Sequence, residues 1–362
     1  MKRIVCPLLM LCLLLGLART SLAASPPSAD EILRLPPEMV ERLQTEIAGV
    51  ALSPERRVDL LVEFISEQGG FGFQYQASPT FSVRETVFQA RGNCLSFTLL
   101  FISAARALGI EAHAREVRVP LAWRQDEDLI FDVGHVNVGV ETPGSRKTVD
   151  FDPDFLRSQR LASPYRGRRV SDERMLAHFY NNRAAELLGE ARIELAAEWV
   201  AQAIALDPGF APAYNTAGVI ERRLGRPERA RAQFQRALEL AEDPAPTLFN
   251  LVLLERSQGR PRAAEDHARH LTGLRPSDPW FQWALGRFYE DLSELDRARR
   301  FHLRAIELND DEPRFHRSLA RVLYELGQEA EAARALARAA GLDASSEASR
   351  QQASLDKHKG PD

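Results

Sequence analysis

Cysteine is scarce: the 362-residue chain holds three, Cys6, Cys12 and Cys94. Two of them sit in an N-terminal apolar run, so a disulfide framework for the remainder is excluded. Lysine is confined to Lys2, Lys147, Lys357 and Lys359, and arginine carries the positive charge. With a formal net charge of −4 and no basic patch, nucleic acid is not expected as a partner. Metal-ligand spacing is missing around Cys94, and His267 and His270, three apart, have no further ligands beside them; neither a metal nor a cofactor is expected. Long apolar runs are absent but for one, residues 4–17.

That run follows Lys2 and Arg3 and leads to the small-x-small triplet Ser21-Leu22-Ala23. The pattern predicts a secretory signal peptide over residues 1–23, too short for a permanent span. A lipid anchor at Cys12 is disfavoured, because Leu11 stands where a small residue is needed. The expectation is a chain exported across the inner membrane to the periplasm, with no integral membrane segment after cleavage. Losing Lys2, Arg3 and Arg19 takes the net charge from −4 to −7. Cys6 and Cys12 leave too, and the mature chain keeps Cys94 alone. Exported chains use cysteine in pairs, so a single one points to a reactive thiol or an intermolecular link; the plain alternative is a buried inert side chain.

Around that thiol, Gly92-Asn93-Cys94-Leu95-Ser96-Phe97-Thr98 opens an apolar stretch running to Leu108, and Gly109 ends it. The spacing predicts a helix with Cys94 in its first turn, where orphan N–H groups and the helix dipole favour a thiolate. Gly92, lacking a Cβ, leaves room for a substrate backbone. A thiolate needs an imidazole, and the imidazole a carboxylate. Gly134-His135-Val136-Asn137-Val138-Gly139-Val140 alternates as a half-buried strand, Thr142-Pro143-Gly144-Ser145 turns, and Lys147-Thr148-Val149-Asp150-Phe151-Asp152 returns. If Glu141 pairs with Arg146, partner numbers sum to 287 and His135 faces Asp152; a slip of two brings Asp150 there instead. Both aspartates remain candidates.

These residues resemble the transglutaminase-like superfamily, a branch of the papain-like cysteine fold: a Gly-Asn-Cys start of a buried helix, a His opening a strand, and an Asp near a Pro on the next. The likeness covers roughly residues 54–154. It implies an α+β domain with an antiparallel sheet, in which Cys94 attacks an amide carbonyl, His135 is its base, and Asp150 or Asp152 orients the histidine. The aromatic residue common soon after the His in that family is replaced by Val136-Asn137-Val138. No metal or cofactor is implied.

Upstream, residues 24–53 read as a linker and helix, and Ser53-Pro54 and Ser82-Val83-Arg84-Glu85 as helix starts. Residues 110–119 read as a strand, Trp123 to Asp128 as a polar loop, and 155–173 as an interdomain linker. Beyond, Gly189, Gly225, Gly259, Ser293 and Gly327 recur at 36, 34, 34 and 34. Ala196, Ala230, Ala264, Ala298 and Ala332 keep a period of 34 throughout. This resembles the tetratricopeptide repeat, about five copies within residues 174–344, and implies an all-α solenoid that binds a protein or peptide. Residues 345–362 read as a disordered tail. The expected function is an exported cysteine-dependent amide or ester hydrolase or acyl transferase acting on a protein or peptide, its repeats holding a protein partner. The alternative is a catalytically silent envelope scaffold.

Overall fold

The structure, a computed structural model, describes residues 25–51, 53–66, 71–117, 123–126, 129–132, 135–150 and 167–358. The signal segment, Asp152 and residues 155–166 of the expected linker lie outside them. The chain divides into two compact units, Met1–Leu254 and Glu255–Asp362.

The first unit opens with α1 (Ala29–Leu33) and α2 (Pro37–Leu43), which bury Ile32, Met39 and Leu43. Next come α3 (Pro54–Ser66), α4 (Val83–Gln89) and α5 (Cys94–Ala107). A capping box of Ser82 and Glu85 starts α4, as its sequence requires. α5 is the hub. Leu95, Phe97, Leu99, Leu100, Phe101 and Ile102 are all buried, so its apolar residues pack on every side, as expected of a helix apolar nearly all round. Gly109, at φ 71°, ends it.

Strands β1 (Gln74–Tyr75) and β2 (Arg91–Gly92) pair in parallel just before α5. The main sheet contains β3 (Glu111–Val117), β6 (His135–Thr142) and β7 (Ser145–Val149). A separate hairpin holds β4 (Trp123–Asp126) and β5 (Leu129–Asp132), so the stretch read as a polar loop is strand in part. Arg168–Arg169 form β8 on the edge of β3, giving the antiparallel order β7-β6-β3-β8. The end of the expected linker is therefore sheet, held by Arg168 on Glu116 and by Arg115 on the Gly167 carbonyl.

Helices follow in pairs: α6 (Asp172–Gly189) with α7 (Ile193–Leu206), and α8 (Ala211–Arg223) with α9 (Pro227–Leu240), then α10 (Ala245–Ser257). One apolar core runs from Ile32 through α5 and the sheet valines into Met175, Phe179, Leu187, Trp199 and Phe234. No boundary near residue 173 interrupts it. The recurrent alanines are the close contacts: Ala196 and Ala230 are fully buried, and a Cβ on Gly218 would lie 2.4 Å from the Phe234 ring.

The second unit continues the pattern with α11 (Pro261–Gly273), α12 (Pro279–Asp291), α13 (Leu295–Leu308), α14 (Pro313–Glu325) and α15 (Glu329–His358). α15 runs on through Ala344 into the stretch read as a disordered tail. His302 fills the place that Phe234 takes two repeats earlier, stacked on Gly286 and bonded to Glu290 at 2.5 Å. The inter-helix turns need a left-handed residue, and Gly225, Gly259 and Gly327 supply it. Ser293 does so at φ 58°, and in the first repeat Ala191 at φ 58°, so the turn residues recur at 34 without exception. Gly189, the residue the sequence pointed to, is the last of α6.

Candidate active site

α5 begins at Cys94 because Asn93 caps it. The Asn93 Oδ1 accepts from the Ser96 amide at 2.9 Å and the Ser96 hydroxyl at 3.1 Å, satisfying an orphan donor of the first turn. Ser96 Oγ in turn accepts from the Phe81 amide at 2.8 Å. Gly92 serves this cap rather than a substrate: a Cβ there would stand 2.5 Å from the Ser96 Cβ, so its empty side is already filled. Cys94 itself is half-buried, and its thiol is in no disulfide.

His135 opens β6, opposite Val117 of β3. The Thr98 hydroxyl donates to the Val136 carbonyl at 3.3 Å, pinning the first turns of α5 to the strand beside His135. Across the hairpin, Glu141 pairs with Arg146 and Val138 with Val149, the register with the sum of 287. Yet the carboxylate on His135 is that of Asp150, with Nε2 and Oδ2 2.6 Å apart. No slip is involved. Asp150 follows the last residue of β7, in line with Asn137, and reaches His135 diagonally, a contact within range on a twisted sheet. The inference that an Asp150 contact requires a slipped register is thus corrected. Asn137 Nδ2 donates to the same Oδ2 at 3.0 Å, so one carboxylate oxygen is shared by two strand neighbours. The Asp152 candidate lies outside the described residues.

The side chains of His135 and Asp150 are each 7% exposed. Burial pulls the imidazole towards neutrality, but the hydrogen bonds to Asp150 and to the Cys94 side chain, with the charges of both, outweigh it and raise its pKa to about 10. With Nε2 on Asp150, Nδ1 is the ring nitrogen that can face the thiol. The His135 ring is thus the neighbour of both the Asp150 carboxylate and the Cys94 side chain. His113, the other histidine of the sheet, stacks over Gly139, and burial lowers its pKa. Among the described residues no cluster of three or more His, Cys, Asp or Glu is placed to hold a metal ion, and no helix is long and apolar enough to cross a membrane.

Residues 41–140 match the model of the transglutaminase-like superfamily. Two tetratricopeptide repeat models match residues 211–244 and 249–313. The chain thus carries a transglutaminase-like core followed by tetratricopeptide repeats. No curated protein matches it. Among solved structures, one described as the functional characterization of Pseudomonas aeruginosa pilF is 19% identical, covering 47% of this chain and 78% of its own, with a TM-score of 0.36. MamA from Desulfovibrio magneticus RS-1 is 18% identical over 48% of this chain and 97% of its own, with a TM-score of 0.34. YrrB, described as a tetratricopeptide protein with an unusual peptide-binding site, is 19% identical over 46% and 86%, with a TM-score of 0.30. Likenesses at this level say nothing about what the present chain does.

Proposed function

We propose that this chain is an exported cysteine-dependent acyl-transfer enzyme, a hydrolase or transferase acting on amides or esters of a protein or peptide. The observation that carries the reading is the buried His135–Asp150 pair hydrogen-bonded to the side chain of Cys94. The Cys94 thiolate attacks the acyl carbon, forming a C–S bond while the carbonyl π pair moves to oxygen. The backbone N–H of Cys94, an orphan donor at the positive end of α5, takes that oxyanion. His135 gives its proton to the leaving amine or alcohol as the C–N or C–O bond breaks, and a thioester remains. Water or an amine then attacks the thioester, losing its proton to His135, and the thiolate departs. Asp150 holds the ring and stabilises the imidazolium throughout. The repeats recruit a protein or peptide, in keeping with their family, and the proposed place of action is the periplasm.

The test is thiol reactivity. The purified mature protein is expected to react with iodoacetamide at pH 6 faster than free cysteine, and His135→Ala to remove that advantage. Labelling of the wild type as slow as free cysteine would leave Cys94 an inert thiol and favour the scaffold alternative.

A further inference from the structure

The first helix of the repeat array reaches the cap of the nucleophile's helix through a continuous chain of hydrogen bonds. Glu186, on the inward side of α6, accepts the Thr80 amide on Oε1 at 2.7 Å. Thr80 carries the link onward through its hydroxyl. That hydroxyl oxygen accepts from Asn93 Nδ2 at 2.7 Å, and Asn93 Oδ1 accepts from the Ser96 amide, two residues beyond Cys94. Every bond points the same way, from the amide in the first turn of α5 to the carboxylate of α6. Thr80 is 2% exposed, Asn93 6% and Ser96 not at all, so water has no access to compete. Glu186 is mostly buried as well; burial raises its pKa above the ordinary carboxylate value, against the pull of Arg183 and the Thr80 amide.

We propose that Glu186 is a positioning residue for Cys94, acting through Thr80 and Asn93 on the cap that sets the first turn of α5. The proposal rests on Cys94 being the nucleophile. Asn93 has two demands on it, since its carbonyl must face the Ser96 amide and its amino group must find an acceptor. Thr80 is that acceptor, and Glu186 fixes Thr80 by its backbone N–H. Without the carboxylate, the Thr80 backbone loses its anchor, and the hydroxyl that accepts from Asn93 is no longer held in place. The repeat array is therefore not an appendage to the catalytic domain: whatever displaces α6 displaces the cap of Cys94.

The measurement is the iodoacetamide rate at pH 6 for full-length variants whose fold is verified by circular dichroism. Glu186→Ala is expected to slow labelling of Cys94 about fivefold, the size of a lost N-cap. Glu186→Gln, which keeps an acceptor oxygen, recovers most of the rate. Thr80→Val slows it similarly, Thr80→Ser restores it, and the Glu186→Ala/Thr80→Val double variant is no slower than either alone, because both cut one chain. Asp172→Asn is the control. It breaks the Arg106–Asp172 pair, which ties the other end of α5 to α6 with two bonds of 2.7 Å. It is expected to leave the rate unchanged. The proposal is overturned if Glu186→Ala labels like wild type, if Asp172→Asn slows labelling as much as Glu186→Ala, or if the two chain variants are additive. Should Glu186→Ala fail to fold, the contrast of Thr80→Val with Thr80→Ser decides it. A wild-type rate no greater than that of free cysteine instead removes the functional reading, and the proposal with it.

Discussion

At the scale of single residues, the thiol and the imidazole were legible because each is set by a local pattern: Asn93 before an apolar run places Cys94 at a helix start, and strict alternation places His135 on a strand. The aspartate was legible only as a choice between Asp150 and Asp152. Opposition in a flat register points from His135 to residue 152, whereas the twist of the sheet brings the diagonal Asp150 to 2.6 Å. Glu186 gave no signal at all, since it lies 106 residues from Thr80. The Asp150 assignment has a pH signature. Its carboxylate helps hold the imidazolium to about pH 10, against burial that favours the neutral ring. Hydrolysis of an anilide, whose leaving amine needs that proton, is expected to keep its alkaline limb near pH 10 in the wild type. Asp150→Asn should shift the limb towards neutral pH and lower turnover by up to about 10⁴-fold, the loss seen when a triad carboxylate is replaced by amide. An unmoved limb would mean that Asp150 does not hold the ring. The same pair bears on stability. A histidine raised from 6.5 to about 10 on folding contributes stability that is full below pH 6.5 and lost as pH rises through about 10.

At the scale of elements, the 34-residue period made the helical pairs plain, because the alanines that recur are those where two helices touch. The first turn escaped, since its left-handed residue is Ala191 and the nearest glycine is Gly189. Left-handed alanine carries a cost of about 1–2 kcal/mol that glycine does not. Ala191→Gly and Ser293→Gly are each expected to raise stability by up to about 1 kcal/mol, read as an increase in Tm of a few degrees. Gly225→Ala, at φ 70°, should lower it by a similar amount. A Tm that falls in Ala191→Gly would show that this turn is not held as described. The strand β8 escaped for another reason: Arg168–Arg169 is too short and too polar to carry a strand pattern, and its place is fixed by the open edge of β3 and by Glu116. Glu116 is held to a pKa of about 2 by His178, Arg168 and Arg174 despite burial that raises it.

At the scale of the whole molecule, the sequence announces two kinds of domain but not how they join, because a drop in apolar content at residues 155–173 looks the same in a linker and in a sheet edge. The core says otherwise. Met175, Phe179 and Leu187 of α6 share one apolar cluster with Phe101 of α5 and Val138 of β6. A fragment of residues 25–257 is therefore expected to unfold cooperatively and keep a reactive Cys94, whereas residues 25–170 should lack a cooperative melt by circular dichroism. A cooperative melt and full thiol reactivity in the shorter fragment would mean that the repeats are dispensable to the catalytic unit. The account as a whole stands on an acyl group passing through Cys94. Its most direct test is to mix the mature protein with p-nitrophenyl acetate at neutral pH, quench in acid, and map the mass change. The account predicts a burst of about one equivalent of p-nitrophenolate, and one acetyl group on Cys94 that hydroxylamine removes, with no burst in Cys94→Ala or His135→Ala. No acetyl on Cys94, or a burst that survives Cys94→Ala, would contradict it.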